Sequence, residues 1–255
     1  MHVQGTVLPP PPNTVAATPA QPIAHWLHTV GLLIVLAGTT TFGHYHAPTL
    51  QSSKSHVVKY LASIVLEWVL FAFVLAGIRQ RRAFFRTAFA SRTVSWVQAL
   101  GIGAVAYIAG MIAVALVNGL LYFTPLFHQR NTDVVLALLP RTGIEFLLWF
   151  AVSLTAGLTE EMIFRGYLQQ QLTAWIQHPV LAIVLASILF GSVHLYEGLA
   201  AILPLAGLAF VYGSIVRFYR GDLRSVIIAH TLQDFLVALL VFARPVLDQY
   251  QKHAH

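Results

Sequence analysis

Stretches of about 20 mostly apolar residues recur along this sequence, the length an α-helix needs to cross the roughly 30 Å hydrocarbon core of a bilayer. They fall at Trp26–Phe42, Val57–Ile78, Val94–Phe123, Gly143–Phe164, Val180–Tyr196, Leu199–Phe218 and Leu223–Phe242. Charged residues are only 9% of the chain and apolar residues 57%, too few charges to keep a globular surface wet. The expected fold is therefore all-α, a polytopic transmembrane helix bundle of about seven spans (roughly six to eight). A short interfacial helix is expected over Gly166–Gln177, where Leu168, Leu172 and Ile176 recur at helical spacing against Gln169, Gln170, Gln171 and Gln177.

The net charge of +6 is carried between the apolar stretches. Arg79, Arg81, Arg82, Arg86 and Arg92 crowd one connection, and Arg217, Arg220 and Arg224 crowd another, the pattern of cytoplasmic loops rather than of a nucleic-acid surface. With both connections inside, the amino terminus is expected in the cytoplasm, Thr124–Thr142 outside, and the carboxyl terminus outside. The lipid bilayer is the first partner this implies, and nucleic acid is not expected. The chain has no cysteine, which excludes disulfides, thiolate metal sites and cysteine nucleophiles. Residues 1–24 carry no Lys or Arg and include Pro9-Pro10-Pro11-Pro12, so they read as a flexible Pro-rich tail rather than a signal peptide. Residues 25–139 then hold the N-terminal transmembrane helices, 140–243 a functional core, and 244–255 a C-terminal tail. No internal repeat supports a transporter built from inverted halves.

An ionisable side chain inside a span is costly and usually marks function. Glu67 lies in the second span, Glu145 opens the fourth, Glu160 and Glu161 close it, His194 ends the fifth, and His230 and Asp234 lie in the seventh. Glu160 and Glu161 are neighbours, so on a helix they point about 100° apart and take different roles. Glu161 stands four residues before Arg165, the favourable order for a helical ion pair, which leaves Glu160 free for chemistry. His194 follows Phe190 by one turn, beside Gly191 and Ser192 that permit close backbone approach. His230 and Asp234 are four apart and must both face inward, where the aspartate could accept a hydrogen bond from the imidazole. Together Glu160, Glu161, His194, His230 and Asp234 are the catalytic candidates, supplying a general base and polarising groups for attack on a carbonyl.

The ordered set Glu160-Glu161-x-x-x-Arg165, Phe190-x-x-x-His194 and His230-x-x-x-Asp234 resembles the signature of the CAAX-protease and bacteriocin-processing (CPBP, or Abi) family of intramembrane metalloproteases, over roughly residues 140–243. That resemblance implies an intramembrane endopeptidase of CAAX or bacteriocin-processing type. In it Glu160 activates a water, His194 and His230 complete the site, Asp234 helps with substrate or oxyanion contacts, and Arg165 and Phe190 support the site. Much of the family has asparagine at the last position. An ionised aspartate cannot donate a hydrogen bond to an oxyanion, so orienting His230 is the assignment preferred for Asp234.

A divalent metal such as zinc, held by His194, His230 and Glu160, is one expectation, and a metal-free glutamate mechanism is the other. The resemblance also implies a peptide or protein substrate, lipid-modified or otherwise membrane-associated, and a bacterial cytoplasmic membrane as the location. The alternative function is a catalytically inactive membrane scaffold or bacteriocin-immunity protein that uses the same fold. One tension is internal to these boundaries: they put Glu160, His194 and His230 at different depths. A fourth helix that continues through Arg165 toward Gln177, or a short fifth helix that begins deeper, would remove it.

Overall fold

The computed structural model describes residues 20–51, 56–89, 94–130 and 132–253, so residues 1–19 of the Pro-rich tail and the last two residues of the C-terminal tail lie outside it. Among the described residues the regular elements are all helical. They are α1 (Trp26–Gln51), α2 (Val57–Gly77), α3 (Arg81–Phe89), α4 (Trp96–Leu121), a 3-10 turn (Pro125–Gln129), α5 (Thr132–Leu138) and α6 (Gly143–Glu161). There follow a π-helical segment (Met162–Leu168), α7 (Gln169–Ile176), α8 (Pro179–Val193), a 3-10 turn (Leu195–Glu197), α9 (Leu199–Phe218) and α10 (Arg224–His253).

Five helical stretches are long and apolar enough to cross a membrane: Trp26–His46, Val57–Gly77, Trp96–Leu121, Gly143–Ile176 and Leu199–Phe218. α8 is apolar but only 15 residues long, and α10 packs with α4 and α6 inside the bundle. The outer surface is what lipid requires, since Val58, Val97 and Leu120 are 76%, 79% and 75% exposed. This is a multi-pass integral membrane protein.

Local chemistry sets several boundaries. α4 opens on a capping box in which Gln98 N–H donates to Ser95 Oγ at 3.2 Å and Ser95 N–H to Gln98 Oε1 at 2.8 Å. α6 opens on Thr142, whose hydroxyl accepts from Glu145 N–H at 3.3 Å. The buried Glu145 carboxylate accepts from the backbone N–H groups of His56 and Arg141, tying the start of α2 to the start of α6. Glu145 thus serves the fold at the end of the bundle opposite the arginine-rich connections.

The fourth span settles the depth problem. Gly166–Ile176 is helical and runs on from α6 through the π segment without a break, so Glu160 lies in the middle of a 34-residue helical stretch. Two of its glutamines look inward: Gln171 is buried, accepts from the N–H groups of Ile23 and Ala24 and donates to Ala24 carbonyl at 2.9 Å, while Gln169 donates to Gly213 carbonyl at 3.1 Å. This segment therefore continues the fourth span and packs one face into the bundle, while Gln177 at its end is exposed. α8 ends at Val193 and turns back into α9 through Leu195–Glu197, which brings His194 to a hairpin tip. The connection after Arg79 also holds the short helix α3, which buries Phe84 and Ala88 and leaves Arg81, Arg82 and Arg86 exposed.

Close helix crossings hold the functional elements in register. At Gly157 of α6 a Cβ would strike the Thr231 hydroxyl and press on the Ile227 carbonyl of α10. At Gly191 of α8 it would strike the Ile202 carbonyl of α9. Small residues are what let such backbones meet in a membrane bundle.

Candidate active site

The site is assembled where α6 and the π segment meet α10 and the end of α8. His230 projects from α10 and is buried among three carboxylates. Its Nδ1 lies 2.8 Å from Glu161 Oε1, its Nε2 3.6 Å from Asp234 Oδ2 and 3.9 Å from Glu160 Oε2. Arg165 Nη1 donates to that same Glu161 Oε1 at 2.8 Å. Glu161 therefore accepts from the histidine and the arginine at one oxygen, while its other oxygen, Oε2, is buried without a hydrogen-bond partner. The Arg165 guanidinium in turn lies over the Phe190 ring, 4.4 Å from its centroid, and Phe190 meets His230 edge-on at 5.9 Å.

The hydrogen bond at His230 Nδ1 goes to Glu161, and Asp234, expected to orient this ring, faces its Nε2. With Nδ1 engaged there, Nε2 is left to face Asp234 and Glu160. Asp234 stands beside the reactive edge of the imidazole, one helical turn along α10, and its backbone carbonyl accepts from Trp149 Nε1 at 2.9 Å.

His194 reaches the site from the hairpin tip. Its Nδ1 lies 2.9 Å from the Phe190 carbonyl, and because a carbonyl only accepts, Nδ1 carries the proton and the neutral ring presents a lone pair at Nε2. Its ring lies 4.9 Å from that of Phe190 and 6.0 Å from that of Tyr196, and its charge when protonated is felt by both Asp234 and Glu67. Glu160 Oε2 is buried and has no hydrogen-bond partner, and its side chain is 17% exposed. A buried carboxylate oxygen without a protein donor lacks the hydrogen-bond partner such groups normally have.

Two further residues join the site without having been assigned to it from sequence. Glu67 of α2 lies 2.8 Å from Thr159 Oγ1 and interacts electrostatically with Glu160. Its signal was legible as an acid inside a span, but nothing in the local sequence tied α2 to the later motifs. Tyr196, in the turn after α8, lies within electrostatic reach of Glu160 and Asp234. Its hydroxyl donates to the neighbouring Glu197 carboxylate.

Among the described residues no three His, Asp or Glu side chains are arranged to hold an ion, the expected set of His194, His230 and Glu160 included.

The fold and site together define a membrane-embedded helical protein with carboxylates and histidines gathered between its spans. Residues 142–236 match a family model described as type II CAAX prenyl endopeptidase Rce1-like. The match supports the CAAX-protease (CPBP) family and an intramembrane endopeptidase of CAAX type in general. Comparison with curated proteins and with solved structures gave no match. Glu67 lies outside the matched segment, whereas Glu160, Glu161, His194, His230 and Asp234 lie within it.

Proposed function

We propose that the protein hydrolyses a peptide bond within the membrane, using Glu160 as general base toward a water molecule. The observation that carries this reading is the unpartnered, buried Glu160 Oε2 set 3.9 Å from His230 Nε2, with Glu161 and Arg165 holding the imidazole from behind.

In the reaction Glu160 takes a proton from water as the oxygen attacks the scissile carbonyl carbon. The resulting oxyanion is met by His230, which donates from Nε2 when protonated. His194 accepts a hydrogen bond from the water through its Nε2 lone pair and so aims it. Collapse of the tetrahedral species breaks the C–N bond, and the proton held by Glu160 passes to the leaving amine. The products are one carboxylate and one amine, and no other reactant is consumed. Glu67, linked through Thr159 to the residue beside Glu160, adds a further acid to the field in which Glu160 works. All these steps use the chain's own groups.

The substrate is a membrane-associated peptide or protein, and the arginine-rich end of the bundle faces the cytoplasm of a bacterial cell. The test is cleavage of membrane-inserted peptides by the purified protein in liposomes prepared in H₂¹⁸O. Hydrolysis places one ¹⁸O in each new carboxyl terminus, read by mass spectrometry. A protein that captures peptides without producing labelled termini would instead be a scaffold.

A further inference from the structure

A cavity lies at the arginine-rich end of the bundle and shares Arg165 with the site just described. It has a volume of about 380 Å³, and Arg165, Gln169, Gln170, Thr173, Arg217 and Arg220 are among its lining residues. Among the described residues no Asp or Glu lines it. Asp222, the acid closest in sequence to Arg217 and Arg220, is committed to Arg224, with Nη2 to Oδ2 at 2.6 Å.

Three observations point the same way. Arg165 spends Nη1 on Glu161, while its Nη2 is buried and has no hydrogen-bond partner, although the residue is only 2% exposed. Buried guanidinium donors are normally satisfied, so Arg165 Nη2 lacks the acceptor such a group usually has. Arg220 is held at φ 56°, in the left-handed region that a bulky side chain seldom adopts, beside Gly221 at φ 91°; this turn keeps Arg220 at the cavity instead of letting α9 run on. Pro179, the first residue of the 15-residue helix α8, also lines the cavity, so a helix N-terminus adds its partial positive charge.

We propose that this cavity binds a phosphate group, carried either by an anionic lipid headgroup or by free phosphate. Arg217 and Arg220 supply the charge, Arg165 Nη2 supplies a donor from the floor, and the amides and hydroxyl of Gln170 and Thr173 complete a polar wall. The proposal is independent of the hydrolase reading, because it requires only the fold and the charge of the cavity.

The experiment is thermal unfolding of the delipidated full chain in neutral detergent, with phosphatidylglycerol, phosphatidylcholine, inorganic phosphate, or chloride at matched ionic strength. The expected result is a rise of several degrees in Tm with phosphatidylglycerol over phosphatidylcholine, or with phosphate over chloride. A shift with lipid alone assigns the headgroup as ligand, and a shift reproduced by inorganic phosphate assigns the free anion. The shift is lost in R217Q/R220Q, whose substituted side chains are exposed, and kept in R81Q/R82Q, which removes equal charge from the neighbouring surface. Arg217→Gln alone reads the same effect at reduced size if the double variant does not fold. No shift beyond the phosphatidylcholine and chloride controls, or equal loss in R81Q/R82Q, overturns the proposal.

Discussion

Glu161 and Arg165 form a buried pair whose members cannot be removed singly without cost. Taking away one partner leaves an uncompensated charge in a water-poor interior, a penalty of about 3–5 kcal/mol. Glu161→Ala and Arg165→Ala are each expected to destabilise the protein by that order in detergent unfolding. The double variant should lose less than the sum, because the surviving partner is no longer stranded. Additive losses would show that the pair is not energetically coupled. Glu67→Gln keeps a side chain able to bond Thr159 but removes an ionisable acid near Glu160, so it is expected to leave stability nearly unchanged. Cleavage should fall by about tenfold, roughly 1.4 kcal/mol in the barrier, with a displaced pH profile. An unaltered rate and profile would remove Glu67 from the account. At this scale the helical i to i+4 spacing made the Glu161–Arg165 pair legible in the sequence. It could not show that His230 bonds the same Glu161 oxygen, since that contact spans 69 residues and depends on how α6 and α10 cross.

The crossing of α6 and α10 is the element-level device that brings Glu161 to His230, and Gly157 is where the two backbones come closest to excluding a side chain. Gly157→Ala should force the helices apart, costing about 1–3 kcal/mol through overpacking and a larger share of activity. Thr231→Ala in the same chain should restore only part of the loss, because the Ile227 carbonyl still meets the new methyl group. Full activity in Gly157→Ala would mean that this contact does not set the site. Hydropathy located the helices well because each carries its own apolar surface, and α2, α4 and α9 begin and end within a few residues of where the sequence put them. The stretch after Glu161 was harder to read. A run of glutamines looks interfacial unless their distant partners are known, and those of Gln171 are Ile23 and Ala24, nearly 150 residues away. The π segment likewise has no signature in Met162–Leu168 that hydropathy detects; such turns often occur at functional sites, and this one directly follows Glu160 and Glu161.

For the molecule as a whole, the distribution of arginines orients the bundle, and the absence of native cysteines makes that orientation simple to test. A single cysteine introduced at Arg82 should react with an impermeant maleimide from the cytoplasmic side, and one at His128 from the opposite side. Labelling of both from one side would reverse or break the topology. The catalytic account stands on a narrower point, which is whether Glu160 activates the water. The direct measurement is the single-turnover cleavage rate of wild type against Glu160→Gln, with the unfolding midpoint of each recorded beside it. Since Glu160 Oε2 has no protein hydrogen bond to lose, the variant should unfold with the wild type while its rate falls by roughly 10²–10⁴-fold, the usual contribution of a general base. A folded Glu160→Gln protein that cleaves at the wild-type rate would contradict the mechanism.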